Sequence, residues 1–293
     1  MRHTRISSLK TSGLVALALL LAAVNPACLA AQERGPVDLP ILFDTRERIA
    51  RPDVSGIVRL RFLTTVDFPP FNFIDQTGKL AGFHVDLVRE ICRELALTEK
   101  CQIQAVTFPE LEKALTDGNG EAVAAGVAVT TDLRKRFAFS RPFMRLPARF
   151  AVAKKAAPSG ETAAALDGKR VGVVAASAHE AMLKAFFPRV QAEAFADRAA
   201  LLAALKDGKV EAVFGDGMQL AFWTSGSESA GCCRLFDGPF LSETFLGEGL
   251  TLMFRKEDAA LAGAVDHALL ALSRSGRLQE IYLRYFPINL YGG

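Results

Sequence analysis

The sequence lacks the residue constellations that most enzyme classes require. The three histidines outside the N-terminal leader show no metal-ligand spacing, and the serine-hydrolase motif Gly-x-Ser-x-Gly does not occur. Gly215-x-Gly217 and Gly247-x-Gly249 both lack the third glycine of a dinucleotide-binding loop. These absences argue against metal-dependent, serine-hydrolase and dinucleotide-dependent chemistry, and we predict neither a cofactor nor a metal site.

An excess of charge is also missing once the first 31 residues are set aside. The whole chain carries 35 basic and 32 acidic residues, but Arg2, Arg5 and Lys10 belong to the leader and the remainder is balanced. Binding to phosphates needs a surplus of Lys and Arg on one face of a protein. We therefore predict no nucleic-acid partner.

Long apolar runs are absent as well. The run Leu14–Val24 has about a dozen residues, whereas a membrane-spanning helix needs roughly 18. It follows basic residues and precedes small ones, which is typical of a secretory signal peptide. We predict that residues 1–31 are cleaved and that the mature protein is soluble. Cys28 leaves lipid attachment open, although Asn25-Pro26-Ala27 is a poor match to a lipoprotein signal.

The most informative segment is residues 59–95, RLRFLTTVDFPPFNFIDQTGKLAGFHVDLVREICREL. Residues 60–65 form a β-favouring run, and Pro69-Pro70 ends it because proline has no backbone donor. Residues 75–78 are typical of a turn. After this turn, residues 82–95 repeat their apolar side chains at helical spacing.

This order of strand, aromatic-proline loop, turn and helix resembles the opening of the amino-acid-binding receptors of ABC importers. Those proteins begin with a strand, a loop ending in Pro-Phe and a helix start of the form Gly-Phe-x-x-Asp-Leu, which correspond here to residues 62–65, 68–71 and 82–87. The resemblance covers residues 57–287. It implies an α/β fold of the type II periplasmic binding proteins, in which a two-segment hinge joins two lobes. Each lobe is then a mostly parallel sheet flanked by helices.

The resemblance also implies an order of domains along the chain. The signal peptide is followed by an N-terminal extension of unassigned role, residues 32–56. Lobe one begins at residues 57–147, lobe two comprises residues 148–244, and residues 245–293 return to lobe one. The alternation of predicted strands and helices supports this arrangement, because such alternation favours a parallel sheet.

Local patterns predict individual elements near the expected ligand site. Small residues at 122–129 indicate a strand, and residues 131–137 indicate a short helix. Residues 149–153 indicate the strand that enters lobe two. Residues 249–254 indicate the strand that returns to lobe one.

Ligands of open α/β sheets bind beyond the carboxyl ends of the strands. The resemblance places Phe68 there as the ring that stacks on the ligand. It makes Phe108 the opposite wall, although packing in the core is an equal alternative for this phenylalanine.

The resemblance further implies a carboxylate site, built from the backbone of Gly126 and Ala128 and from the guanidinium of Arg134. Counting forward from Thr131 puts Arg134 in the family's arginine position. Counting back from Phe139-Ser140 puts Leu133 there instead. Arg134 is therefore either the anion anchor or a solvated charge.

In lobe two the resemblance makes Ser177 a second contact for the ligand's carboxylate and Asp216 the acceptor of its ammonium group. Both residues have simpler alternatives, since serine commonly caps a helix and aspartate commonly occupies a turn. His179 lies near Ser177 in the sequence, and we interpret it as a residue of the helix start.

The cysteines fit an oxidising compartment. The resemblance implies a disulfide between Cys92 and Cys101. Cys232 and Cys233 are adjacent, so they form either a vicinal disulfide or two thiols.

The function that the resemblance implies is that of a monomeric periplasmic receptor. It would close on a polar small molecule, expected to be an amino acid, and present it to an ABC permease. The alternative is an enzyme on the same fold that resembles the periplasmic cyclohexadienyl dehydratases, since fold alone does not determine function.

Overall fold

The structure is a computed structural model that describes residues 1, 39, 42–44, 46–286 and 290–291. Apart from Met1, the predicted signal peptide with Cys28 lies outside the described residues. Residues 36–293 form one compact unit that contains all the described strands and helices.

The strands are β1 Leu60–Thr64, β2 Asp67–Phe68, β3 Asn72–Ile74, β4 Leu80–Ala81, β5 Cys101–Ala105, β6 Ala122–Val123, β7 Phe137–Phe139, β8 Ala148–Ala153, β9 Arg170–Val174, β10 Gln191–Phe195, β11 Ala212–Asp216, β12 Cys233–Leu235 and β13 Met253–Arg255. The helices are α1 Phe83–Glu94, α2 Leu111–Thr116, α3 Thr131–Arg136, α4 Ala178–Phe186, α5 Arg198–Lys206, α6 Gly217–Ser225, α7 Glu243–Leu246, α8 Ala259–Arg274 and α9 Arg277–Tyr285. None of the helices of the described chain has both the length and the apolar character of a membrane span.

Two five-stranded sheets form the two halves of the protein. Lobe one contains the order β5-β1-β6-β13-β7, and lobe two contains β10-β9-β11-β8-β12. The fold is α/β with mostly parallel sheets, as predicted. In each sheet four of the five strands run in the same direction, and one strand, β13 in lobe one and β8 in lobe two, runs against them.

The direction of each strand follows from the connection that precedes it. Strands joined by a helical crossover are parallel, as β1, β5 and β6 are. By contrast, β8 leads the chain into lobe two, and β13 brings it back to lobe one. Each of these strands runs antiparallel to both of its neighbours, so each sheet is mixed.

The two chain crossings lie side by side. Leu250 donates its backbone N–H to the carbonyl of Met144 at 2.7 Å, and Phe143 donates to the carbonyl of Leu250 at 3.0 Å. On the lobe-two side, Ala148 and Phe240 exchange two backbone hydrogen bonds of 2.9 Å. The connection between the lobes is therefore a pair of hydrogen-bonded extended segments.

Helices α1, α8 and α9 cover lobe one, and their apolar faces meet β1 in its core. Phe62, Phe83 and Tyr282 are fully buried there. The helix pattern of α1 matches the prediction, because Phe83, Leu87 and Ile91 all face inward. Phe71, which follows the Pro69-Pro70 pair, also belongs to this core.

Some predicted boundaries are wrong near the cleft. The strand predicted at 122–129 is limited to β6, because the chain leaves the sheet before Gly126, which has φ +70°. Phe137 does not end helix α3 but begins β7. The sequence reading missed β10 altogether, because this edge strand is mostly exposed and its polar residues alternate only with alanine, which gives a weak apolar signal.

The described part of the N-terminal extension packs on lobe one. Leu39, Phe43 and Val54 are buried in the lobe-one core. The carbonyl of Ile49 contacts Nδ1 of His267 on α8 at 2.9 Å. The extension, to which the sequence assigned no role, thus fastens to the helical side of lobe one.

Both cysteine pairs are bonded. The predicted disulfide joins Cys92, near the end of α1, to Cys101, the first residue of β5. The alternatives left open for the adjacent pair resolve to a vicinal disulfide between Cys232 and Cys233 at the start of β12.

Candidate functional site

The wall that lobe one contributes begins with Phe68, the last residue of β2, which follows β1 in the chain. Its ring stacks on Phe71 with centroids 4.7 Å apart. On another side, the ring lies against Gly126, where an added Cβ would come within 2.8 Å of Phe68 Cε1. The glycine therefore permits the close approach of the loop after β6 to this aromatic ring, and the two predicted residues are neighbours.

Phe108 is the first residue of a short 3-10 turn before α2 and leaves half of its side chain exposed. The alternative of core packing is thus wrong for this residue. Ala128 is also exposed, on the loop before α3. The role of both residues in ligand binding stays a prediction.

A buried histidine, His84, lies beside Phe68, with the ring centroids 6.4 Å apart. His84 is fully buried beside Phe71, Phe83 and Phe143, and its Nδ1 contacts Asn72 Oδ1 at 2.8 Å. Burial lowers the pKa of His84 to about 3. Sequence reasoning missed this role, because a histidine in an amphipathic helix lies as often on the exposed face as on the buried one.

The depressed pKa of His84 predicts that the protein loses stability as the pH falls below about 6.5. In the unfolded chain the imidazole has its ordinary pKa of about 6.5 and is protonated below that pH, whereas in the folded protein it stays neutral. Acidification therefore favours the unfolded state. We expect His84 to account for a loss of about 2 kcal/mol between pH 7 and pH 5. Urea titrations of wild type and His84→Gln measure this as a difference in slope against pH; equal slopes would refute it.

Arg134, the predicted anion anchor, is held by a carboxylate of the protein itself. Its Nε donates to Glu248 Oε1 at 3.1 Å, and its Nη2 forms an ion pair with Glu248 Oε2. The guanidinium also lies 5.8 Å from the ring centre of Phe139. This two-point geometry is the one with which arginine would bind a ligand's carboxylate.

The register of α3 explains the direction of Arg134. Thr130 caps the helix and accepts a hydrogen bond from the backbone N–H of Leu133 at 3.1 Å. Leu133 is thus the third helical residue and Arg134 the fourth, a rotation of about 100°. Sequence reasoning missed Glu248 because it lies 114 positions away, on the returning crossing segment.

Lobe two presents a cavity of about 440 Å³ at the carboxyl ends of its parallel strands. Ser177, Asp197 and Asp216 cap the helices α4, α5 and α6, and all three line this cavity. Helix N-termini carry partial positive charge and unused N–H groups, which favours polar and charged ligands. The structure therefore brings together the two residues that the sequence assigned to lobe two.

Both residues act as caps. Ser177 Oγ accepts the backbone N–H of Glu180 at 3.1 Å and donates to the carbonyl of Val174 at 2.6 Å. Asp216 Oδ1 accepts the backbone N–H of Gln219 at 2.8 Å. A carboxylate has further acceptor positions, so capping leaves Asp216 with capacity for a ligand.

The sequence reading treated His179 as a residue of the helix start, but the structure adds that it lines the cavity with Asp216. Burial raises the pKa of Asp216, and the imidazole of His179 partly offsets this effect. Burial lowers the pKa of His179, against the attraction of the Asp216 carboxylate. The cavity thus contains an acid poorly solvated by water, which a cationic group would stabilise in its charged form.

Arg198 and Gln219 were also missed, since a polar or charged residue in the first turn of a helix usually indicates a solvated surface. Both line the cavity of Asp216 and also a second cavity of about 480 Å³. Pro69 and Pro70 of lobe one contribute to the second cavity. Among the described residues, no group of three or more His, Cys, Asp or Glu side chains is arranged to hold a metal ion.

Comparison with known proteins gives a consistent result. The family model of the bacterial extracellular solute-binding proteins, family 3, matches residues 60–288. An ABC transporter arginine-binding protein of Escherichia coli is 25% identical over 80% of this chain and 93% of its own length. An L-arginine-binding protein of Pseudomonas aeruginosa is 29% identical over 77% of this chain and 86% of its own. A solved arginine-specific periplasmic binding protein of Salmonella typhimurium superposes with a TM-score of 0.51 at 25% identity, covering 78% of this chain and 100% of its own.

Proposed function

This chain belongs to the bacterial extracellular solute-binding proteins, family 3, and we propose that it is the periplasmic substrate-binding component of an ABC importer with an amino acid as its ligand. The structural observation that carries the proposal is the lobe-two cavity. It presents a half-buried carboxylate, that of Asp216, among three helix N-termini and beside the carboxyl ends of parallel strands.

The proposed contacts divide between the lobes. Asp216 receives the ligand's ammonium group, and the N-terminus of α4 at Ser177 supplies N–H groups for polar atoms. Phe68 stacks on the side chain of the ligand, with Phe108 as the opposite wall and the backbone at Gly126 alongside. Because the contacts come from both lobes, ligand binding would favour the closed arrangement of the hinge.

The functions of these relatives support the choice of ligand and of partner. Both curated relatives are described as arginine-binding proteins, and one of them as part of an ABC transporter. We propose that the present chain binds a basic amino acid as a monomer and docks, when closed, on a membrane permease.

The proposal predicts ligand-induced thermal stabilisation of the secreted protein. At a ligand concentration of about 100 times the Kd, binding stabilises the folded state by about 2.7 kcal/mol. For a protein of this size, this corresponds to a rise in Tm of about 5 to 10 °C. The measurement is a thermal-shift screen with arginine, lysine, ornithine, histidine, glutamine and glutamate. A protein that responds to no amino acid would contradict the proposal.

We also propose that the chain is a receptor without catalytic activity. The competing hypothesis of a cyclohexadienyl dehydratase-like enzyme is tested directly by incubation with prephenate. Formation of phenylpyruvate at a rate above that of the Asp216→Asn variant would establish the enzyme instead.

A further inference from the structure

Among the charged residues that line the lobe-two cavity, Arg198 and Asp216 have opposite charges, and one residue, Gln219, connects them. Arg198 is the first residue of α5, and Asp216 caps α6. Gln219 donates its backbone N–H to Asp216 Oδ1 at 2.8 Å, while its side-chain Oε1 accepts from Arg198 Nη1 at 2.7 Å. Arg198 is also close enough to lower the pKa of Asp216 against the larger effect of burial. The guanidinium of Arg198 and the carboxylate of Asp216 thus both form hydrogen bonds with Gln219.

The guanidinium groups of Arg134 and Arg198 differ in what they already bind. Arg134 makes a two-point ion pair with Glu248, which fills the fork that a ligand's carboxylate would need. Arg198 donates to the neutral amide of Gln219, and across the described ranges no carboxylate lies within ion-pair distance of it. Since a guanidinium has five N–H donors, Arg198 retains donors for an anion.

The position of Arg198 also suits a ligand held between the lobes. Its side chain lines both the cavity of Asp216 and the adjoining cavity, which Pro69 and Pro70 complete from lobe one. A carboxylate bound at Arg198 would therefore lie where lobe one meets lobe two, within reach of the loop that contains Phe68.

We propose that Arg198, and not Arg134, binds the carboxylate of the ligand, so that Arg198 and Asp216 together recognise an α-amino acid from lobe two. The inference rests on the proposed function, because it assumes an amino acid ligand at Asp216. The carboxylate and ammonium groups of an α-amino acid are separated by a single carbon atom. They therefore need an anion site and a cation site side by side, as Arg198 and Asp216 provide.

The test compares amino acids with the amines that lack the carboxylate. Calorimetric titrations of wild type use L-arginine with agmatine, L-lysine with cadaverine and L-histidine with histamine. We expect wild type to bind at least one amino acid tenfold or more tighter than its amine. Arg198→Gln should lose this preference while binding the amine as wild type does, and Arg198→Lys should retain part of it. Arg189→Gln, an exposed ion-paired arginine elsewhere on lobe two, is the matched control and should keep the preference.

Each other result contradicts the inference. If Arg198→Gln keeps the preference, or if Arg134→Gln loses it while Arg198→Gln keeps it, the carboxylate binds elsewhere and only the present inference fails. If wild type binds amine and amino acid equally, the ligand's carboxylate is not recognised at all. If wild type binds none of the six compounds and no amino acid in the thermal screen, the proposed function fails, and this inference fails with it. Melting curves without ligand confirm that the variants are folded.

Discussion

Replacement of Asp216 by asparagine is expected to weaken amino-acid binding by about tenfold to a hundredfold. The variant exchanges a charge-assisted hydrogen bond to the ligand's ammonium for a neutral one, and such bonds contribute about 1.5 to 3 kcal/mol. Asparagine is as good a helix cap as aspartate, so the amide oxygen still accepts the N–H of Gln219. Folding is thereby separated from binding. Calorimetric titration with the amino acid that stabilises wild type most measures the loss.

A matched control comes from a turn aspartate far from the cavity. Asp75 accepts the backbone N–H groups of Thr77 at 2.8 Å and Lys79 at 3.0 Å in the hairpin between β3 and β4. Asp75→Asn should bind the ligand as wild type does. If Asp216→Asn binds as tightly as the control, the ammonium site lies elsewhere.

The largest loss of stability is expected for Gly82→Ala, at the N-terminus of α1. Gly82 has φ +129°, a conformation that residues with a Cβ rarely adopt. An added Cβ would also lie 2.1 Å from the carbonyl oxygen of Phe71, which has the core packed behind it. Backbone strain alone costs about 1 to 3 kcal/mol, and the displaced backbone adds to it. We expect the free energy of unfolding, measured in urea, to fall by more than about 3 kcal/mol, with little expression of soluble protein.

Gly78→Ala is the comparison for this substitution, because Gly78 also has a positive φ, +78°, but no atom lies within 4 Å of the position of a Cβ. This variant bears only the strain of the left-handed conformation and should lose about 1 kcal/mol. Similar losses for the two variants would show that the contact with Phe71 is unimportant.

Much of the fold could be predicted from local sequence. The α1 pattern is read correctly because its buried residues repeat at helical spacing, and β1 because Pro69-Pro70 ends a β-favouring run. The same reasoning fails at β10, an exposed edge strand, and at the loop around Gly126, where contact with Phe68 decides the backbone. These errors occur where tertiary contacts, not periodicity, determine the conformation.

For a related reason, some residues of the candidate site could be predicted from the sequence and others could not. Ser177 follows β9 by three residues, Asp216 is the last residue of β11, and each caps the next helix, so their positions in the sequence already indicate that they lie at the cavity. Arg134 could not be resolved, because one residue of register turns its side chain about 100° and because Glu248 is remote in sequence. Arg198 was missed because nothing local distinguishes a helix-start arginine that lines a cavity from one in open solvent.

The hydrogen-bonded pair Ala148 and Phe240 has a consequence for protein engineering, because it marks where lobe two could be exchanged between relatives. Since the chain leaves and re-enters lobe one at neighbouring points, residues 149–239 form a cassette whose two ends meet. A cassette of this kind is exchangeable between relatives with few altered junctions. Grafting it onto a receptor of known specificity would carry Ser177, Arg198 and Asp216 along as one inherited piece, so the chimaera's preference would report their ligand directly.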